Sequence, residues 1–355
     1  MFSKKITALD IGTSNIKIIY AVVSGRQARI KKQFIIDTPD GCILNGRITD
    51  AVALADLLNK FFKQNHFEPR DTVITFSSAS FITRDMIIPK VPVKEIHGMI
   101  EMELPQNFPV SLDNHVWDYK VIEEIQSANG MNYRVLVAAV PQYFAAEYMQ
   151  LAMACNMNLL SLDFSCNSVA ELIKQDYYKK LDTAPYQTIM AMDFGSSSTK
   201  VTIVSKGMFM FHRILPFGGM HITQAIMKHM NVDEQGAEIL KKEIGIDIVG
   251  EDELIPEMSQ SIQVSDCIRA VLIEMFEDLS RFFDYYNSRQ NENIDFVLLT
   301  GGGAQLKNLE QYLENTYNIP TKIYAVYSNV KATDTQKLSE NALYLTNSIG
   351  ALFNK

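Results

Sequence analysis

Leu9-Asp10-Ile11-Gly12-Thr13-Ser14-Asn15-Ile16-Lys17-Ile18, near the start of the chain, returns further on as Met192-Asp193-Phe194-Gly195-Ser196-Ser197-Ser198-Thr199-Lys200-Val201. In both copies an Asp closes an apolar strand, a Gly follows two residues later, a hydroxyl pair comes next, and a Lys stands seven residues past the Asp. An Asp-x-Gly after a strand also suits a plain hairpin turn. Two copies, one opening each half, point instead to a pair of phosphate clamps. Gly12 and Gly195 let the chain turn tightly, so that successive N–H groups aim at oxygen atoms. Thr13, Ser14, Ser196 and Ser197 add hydroxyl donors, and Lys17 or Lys200 brings a charge that neutralises phosphate. Asp10 and Asp193 offer the hard oxygens that Mg2+ prefers, reached through the waters this ion retains.

A length of 355 residues suits two domains or one two-lobed body. Hydrophobic content of 47% and charged content of 21% are those of a globular chain, so disorder is not the default for any long stretch. A net charge of −8 argues against nucleic-acid binding, which leaves a basic stripe. Cys42, Cys155, Cys166 and Cys267 form no C-x-x-C pair and lack zinc spacing, so they read as buried thiols in a reducing compartment. Met1-Phe2-Ser3-Lys4-Lys5 runs straight into a strand without a signal region, and no apolar run of about 18 residues spans a bilayer. The expected location is cytoplasmic, with only indirect membrane contact.

Each clamp is followed by strand, turn and strand: Ile16–Val23 and Ala28–Ile36 in the first half, Thr199–Val204 and Met208–Leu215 in the second. This predicts a duplicated fold rather than a duplicated motif. Apolar spacing predicts a helix over Asp50–Gln64 with Asp50 as N-cap. Between Phe81 and Asp163 the order of elements changes: a strand, a helix over Val93–Leu104, a bend at Pro105–Pro109, a hairpin, and a helix opened by Pro141. That order describes a small α+β insertion. The expected organisation is a first lobe core of 1–80, 159–185 and 335–355 carrying an inserted module at 81–158. A second lobe core of 186–225 and 261–334 carries a helical subdomain at 226–260. Within the second lobe, helices are expected at Met220–Met230, Asp233–Ile244, Ser261–Ser288, Ala304–Asn315 and Ser339–Asn354, with an acidic loop at Ile246–Gln260.

Thr300-Gly301-Gly302-Gly303-Ala304-Gln305 falls between an apolar strand and a helix, where bare backbone can lie against a purine and ribose and a helix N-terminus presents free N–H groups. The glycines equally suit a turn that needs them for conformation alone. Glu238 and Lys241, three apart on one predicted helix face, fit either a surface ion pair or contacts to ribose and base. Asp163 stands at a strand-to-helix junction, where it fits a cap for the helix starting near Ser165.

The order of the Asp10 clamp, the Asp163 junction, the Asp193 clamp, Glu238-x-x-Lys241 and Gly301–Gly303 resembles the actin-like ATPase superfamily of actin, heat-shock chaperones and sugar kinases. The resemblance spans nearly the whole chain and implies an α/β, duplicated, ribonuclease H-like two-lobed fold. It implies ATP and Mg2+ as ligands, with both clamps on phosphate and metal, the glycine turn on adenosine, and Glu238 and Lys241 on ribose and base. The module at about 81–160 and Ala237-Glu238-Ile239-Leu240-Lys241 are similar to the branch holding the cell-division protein FtsA and the type IV pilus assembly protein PilM. An FtsA is expected to carry a linker and an amphipathic tail past the closing helix. This chain stops at Phe353-Asn354-Lys355, so the PilM family is the nearer resemblance.

That resemblance implies a protein at the inner face of the cytoplasmic membrane, within the pilus assembly platform. It would grip the cytoplasmic N-terminus of a PilN-like membrane partner, alongside other platform proteins and with a homo-oligomer possible. Phe81, Phe108, Tyr119 and Tyr143 are candidates to line the groove for that peptide, or to serve as ordinary core. Hydrolysis needs a group that orients the attacking water in line with the γ-phosphate, and Asp163 stands at the strand-to-helix junction where the superfamily often keeps such a polar residue, with the helix cap as its other reading. Slow ATPase activity at most is expected. The rival readings are a filament-forming FtsA-like protein and a small-molecule kinase.

Overall fold

A computed structural model describes residues 3–108, 112–127, 130–178, 186–247, 258–290 and 292–354. In chain order the elements begin with β1 (Lys4–Ile11), β2 (Asn15–Ser24), β3 (Gln27–Asp37), β4 (Ile43–Leu44), β5 (Arg47–Ile48), α1 (Ala51–Gln64) and β6 (Asp71–Phe76). Then come β7 (Ile82–Pro89), α2 (Ile96–Asn107), β8 (His115–Ser127), β9 (Gly130–Pro141), α3 (Gln142–Ala154), β10 (Asn158–Phe164) and α4 (Ser165–Tyr177). The rest are β11 (Thr188–Phe194), β12 (Thr199–Ser205), β13 (Met208–Leu215), α5 (Gly219–Met230), α6 (Glu234–Ile244), α7 (Met258–Gln290), β14 (Phe296–Thr300), α8 (Leu309–Tyr317), β15 (Thr321–Ile323), β16 (Val330–Ala332) and α9 (Thr335–Ala351). The chain divides into two compact units, one of 1–38, 71–76 and 163–355 and one of 39–70 and 77–162.

The first unit holds two sheets with one topology. Within this unit their strand orders are β3-β2-β1-β6 and β13-β12-β11-β14-β15, with β16 added beside β3. In each, the first strand pairs antiparallel with the second and parallel with the fourth. α4 and α9 pack against each other between the sheets. Val169, Leu172 and Ile173 of α4 and Ala342, Leu345 and Ile349 of α9 share one core with Ala8 and Ile19 of one sheet and Ala191 and Leu298 of the other. On the far face of the second sheet, Met190, Met192 and Val201 meet Ile222 of α5, Ile268 and Leu272 of α7 and Leu309 of α8. β11 is therefore covered on both sides, which explains its unbroken apolar run up to Asp193.

The second unit is built on the antiparallel sheet β7-β9-β8. Alternate residues Tyr133, Val135, Val137 and Ala139 of β9 face Ile96, Ile100 and Leu104 of α2, the period-2 pattern of a sheet with one apolar face. The unit also contains α1, whose N-cap Asp50 accepts from the Ala53 amide at 2.9 Å.

Several boundaries differ from the sequence reading. The bend placed at Pro105–Pro109 is helical through Asn107: Pro105 sits in the last turn of α2, where buried Leu104 holds the chain against the sheet. Pro109 lies outside the described residues, as do 248–257 of the acidic loop and 183–185. The helix expected over Ala304–Asn315 is a short 3-10 turn, Gly302–Gln305, and then α8, interrupted by Asn308 in the left-handed region with φ 66°. The closing helix starts earlier, at Thr335, because Asp334 caps it by accepting from the Lys337 amide.

Candidate functional site

Both clamps lie in the first unit, at the same place in the two sheets. Asp10 and Lys17 are direct cross-strand partners, as are Asp193 and Lys200, so the seven-residue spacing is that of a hairpin closed on itself. Within each turn the glycine amide donates back across the loop, Gly12 to the Asn15 carbonyl and Gly195 to the Ser198 carbonyl, both at 3.1 Å. Two further carbonyls in each loop are also taken up by protein. Thr38 donates its hydroxyl to Gly12 O and its amide to Ser14 O. The first amides of α5 do the same for the second clamp, Gly219 to Gly195 O and Met220 to Ser196 O, each at 2.9 Å. With the carbonyls held on the protein side, the loops are set to turn their N–H edges to an anion.

The two turns meet. Ser197 Oγ lies 3.4 Å from Thr13 Oγ1. Deeper in, the amide nitrogen of Asn347 on α9 donates to Asp10 Oδ2 at 3.3 Å and to Asp193 Oδ2 at 3.1 Å. Both carboxylates are buried, 5% and 8% exposed, so they are placed by the fold and not by solvent. Thr75 donates to Asp10 Oδ1 at 3.3 Å, Lys200 to Asp193 at 2.9 Å, and Lys17 stands 3.7 Å from Asp10. Burial opposes ionisation of Asp193, yet the charge and hydrogen bond of Lys200, with help from Asn347 and Lys17, outweigh it and hold this carboxyl below its ordinary range. Burial likewise disfavours charge on Lys200, and Asp193 and Asp10 reverse that and keep the ammonium above its usual value. Lys200 thus neutralises Asp193.

Mg2+ fits these residues. Among the described residues no group of three or more His, Cys, Asp or Glu could enclose a metal by itself. An ion here would have two hard carboxylates and would need water and phosphate oxygens to complete its shell, which suits Mg2+. A buried acceptor without a partner, Asn347 Oδ1, stands on the same side chain that bridges the carboxylates.

The glycine turn abuts the second clamp. Gly301 has φ 82°, and a Cβ there would collide with Asp193 Oδ1 and the Phe194 carbonyl; one on Gly303 would enter the Phe194 ring, and one on Gly302 would press on Tyr344. Protein atoms alone therefore require these glycines. Glu238 and Lys241 pair on α6, and both reach Thr223 of α5. Lys241 also donates to the Gly219 carbonyl at 3.2 Å, one residue from the amides that hold the second clamp. Asp163 stands one residue before Phe164, the residue that flanks the start of α4. Its carboxylate takes bonds from the side chains of Asn167, Ser168 and Asn354. Of the aromatic residues named for a peptide groove, Phe108 is in the core under the three-stranded sheet and Tyr119 packs against it. Tyr143 is half exposed with the Arg47 guanidinium 4.6 Å above its ring.

Asn347, Thr75 and Thr38 escaped the sequence reading. A signal for the first existed: Thr346-Asn347-Ser348 is a polar triplet on a helix whose neighbours Leu345 and Ile349 are fully buried, and such polar groups must find partners inside.

A pair of equivalent sheets, each with an aspartate hairpin at the end of its first strand, defines the actin-like ATPase fold. Solved structures agree. The chain matches MreB5 of Spiroplasma citri bound to AMPPNP with TM-score 0.55 and 14% identity over 98% of this chain and 95% of that one. It matches the ethanolamine utilization protein EutJ from Carboxydothermus hydrogenoformans with TM-score 0.58 and 12% identity over 100% and 91%. A PilM–PilN type IV pilus biogenesis complex matches with TM-score 0.82 and 21% identity over 99% of both chains. A family model described as type IV pilus assembly protein PilM covers residues 8–353, and the chain belongs to that family.

Proposed function

We propose that this protein is a cytoplasmic ATP- and Mg2+-binding scaffold of the type IV pilus platform, which grips the cytoplasmic N-terminus of a PilN-like membrane protein. The observation that carries the nucleotide half is the convergence of two buried clamp aspartates on one amide nitrogen, with the hydroxyl tips of Thr13 and Ser197 within 3.4 Å. Asp10 and Asp193 hold the metal. Gly12, Thr13, Ser14 and Lys17 face phosphate from one side and Gly195, Ser196 and Ser197 from the other. Gly301–Gly303 and the Glu238–Lys241 pair form the nucleoside edge. Mg2+ would supply charge to bind the phosphates, while the chain's own donors orient them.

Family membership and the fold shared with a PilM–PilN complex support the partner. Among the described residues no helix is long and apolar enough to cross a membrane, so attachment to the membrane's inner face through such a partner is consistent with the chain. Asp163 is proposed to orient water, and three side chains occupy its carboxylate, which supports slow turnover at most. Nucleotide then acts as a conformational ligand: it shifts partner affinity only as far as it binds the two states differently.

Calorimetric titration of the full chain with Mg2+-AMPPNP tests the first half, and titration of the partner's N-terminal peptide with and without AMPPNP tests the second. Absence of heat from Mg2+-AMPPNP overturns nucleotide binding. Equal peptide affinity in both states overturns modulation.

A further inference from the structure

Asn347 is in an unusual position for a neutral side chain. Its nitrogen lies between two carboxylates, 3.3 Å from Asp10 Oδ2 and 3.1 Å from Asp193 Oδ2, while its oxygen is buried with no hydrogen-bond partner. The residue is 4% exposed and sits on α9, the helix packed between the two sheets. The orientation of the amide follows from its neighbours, since the reverse arrangement would set its oxygen against two carboxylates. One polar atom of a buried amide therefore does two jobs and the other does none, at a cost, because a buried acceptor without a donor is destabilising.

Two like charges facing one point repel unless something positive lies between them. Lys17 and Lys200 sit beside their own aspartates along the hairpins, in the cross-strand positions, and the charge of each also reaches the other aspartate. Between the two carboxylates the donor is the Asn347 amide. A hydrated cation arriving there makes the amide donor redundant and brings water hydrogens that need acceptors. Rotation about the terminal side-chain torsion, which is broad and roughly two-fold for Asn, exchanges nitrogen for oxygen without moving the helix.

We propose that Asn347 is a positioning latch: its amide nitrogen takes the cation's place between Asp10 and Asp193 in the metal-free chain, and turns over to offer Oδ1 to a water of the bound ion. This rests on the reading of the clamps as an Mg2+-nucleotide site and adds a residue to it. The latch keeps the two sheets' clamps together between nucleotides, so the site need not reassemble at each binding event.

The test is thermal unfolding of the full-length wild type and Asn347→Asp, each in EDTA and in Mg2+ alone. The variant keeps the shape and swaps the donor for a third carboxylate. It is expected to melt several degrees below wild type in EDTA, with most of that gap closed by Mg2+. An equal gap in both conditions, or no gap in EDTA, overturns the latch. Should Asn347→Asp give no cooperative melt in either condition, Asn347→Ala is compared with wild type in EDTA and in Mg2+-AMPPNP. A gap that narrows with ligand supports the latch, and a constant gap overturns it. Wild type that fails to respond to Mg2+-AMPPNP, while Mg2+ still rescues Asn347→Asp, overturns the nucleotide reading and keeps the latch.

Discussion

Tyr20 and Ile203 stand at the same point of two separate sheets: each lies ten residues past its clamp aspartate, and immediately after each the ladder to the third strand slips register. The parallel neighbours repeat as well, since Asp10 is aligned with Thr75 and Asp193 with Thr300. A β-bulge is a costly local departure that is kept where it re-aims a strand. Its recurrence at one offset means that the second and third strands leave the clamp at matching angles in both sheets. The symmetry of the site is thus built into backbone register as well as into side chains.

That symmetry is imperfect in energy, and the two aspartates should respond differently to removal. Asp193 holds Lys200 at 2.9 Å, whereas Asp10 holds Lys17 at 3.7 Å and Lys17 also donates to the Asn15 carbonyl. Asp193→Ala leaves Lys200 buried without its closest partner and is expected to cost about 3 kcal/mol. Asp10→Ala is expected to cost about 1 kcal/mol, because it removes the longer bonds from Thr75 and Asn347 and the looser Lys17 pair, and Lys17 keeps the Asn15 carbonyl. Urea unfolding reads the difference, and titration with Mg2+-AMPPNP should show binding abolished in both.

Gly301→Ala tests whether the glycine turn shapes the metal site. Its φ of 82° is unfavourable for alanine, and the new methyl group would collide with Asp193 Oδ1. A destabilisation of about 1–3 kcal/mol is expected from the strained backbone alone. Under the proposed metal role of Asp193, Mg2+ affinity should fall further than stability, since the displaced atom belongs to that carboxylate. Calorimetry beside thermal melting separates the two effects.

The duplication was legible because a hairpin writes its geometry into spacing: Asp and Lys seven apart are cross-strand partners in both copies. The Asn45-Gly46 turn between β4 and β5 was equally open to reading, with φ 51° and 78°, the signature of a two-residue hairpin loop. It was missed because each strand is only two residues long, too short for any alternation. Asn347 and Thr38 belong to another class. They reach the clamps from distant positions in the chain, and no local pattern encodes which distant polar residue will face which loop. The glycine turn shows the converse, a motif open to both a ligand and a conformational reading, whose glycines are already demanded by Phe194 and Tyr344.

Acid should destabilise the protein in two steps. His212 on β13 is kept neutral, first by burial and then by the charge of Lys200, which bring its pKa from 6.5 down to about 4. The unfolded chain takes up that proton first, so stability falls as pH drops from about 6.5 to about 4 and this contribution levels off below, an effect on the order of 2 kcal/mol. Asp193 acts lower: its depressed pKa gives stability that is present above the ordinary carboxylate range and lost as pH falls through the folded value. His212→Gln is expected to flatten the upper step and leave the lower one. Urea midpoints from about pH 7 down to about pH 2, which spans both steps, check it.

Glu238 separates a nucleoside-binding role from that of a strut. Its carboxylate holds Thr223 and Lys241, and Lys241 in turn reaches the Gly219 carbonyl beside the second clamp. If the pair faces ribose and base, Glu238→Ala should weaken ATP binding about tenfold, or about 1.4 kcal/mol, and leave inorganic tripolyphosphate unaffected. A strut would behave otherwise, because loosening the start of α5 releases the carbonyls of Gly195 and Ser196 and disturbs the phosphate loop itself. Both ligands would then bind more weakly, and by the same factor. Titrating the two ligands, each with Mg2+, against wild type and variant distinguishes the cases, since the ratio of their affinities moves only when the deleted carboxylate had been holding the nucleoside.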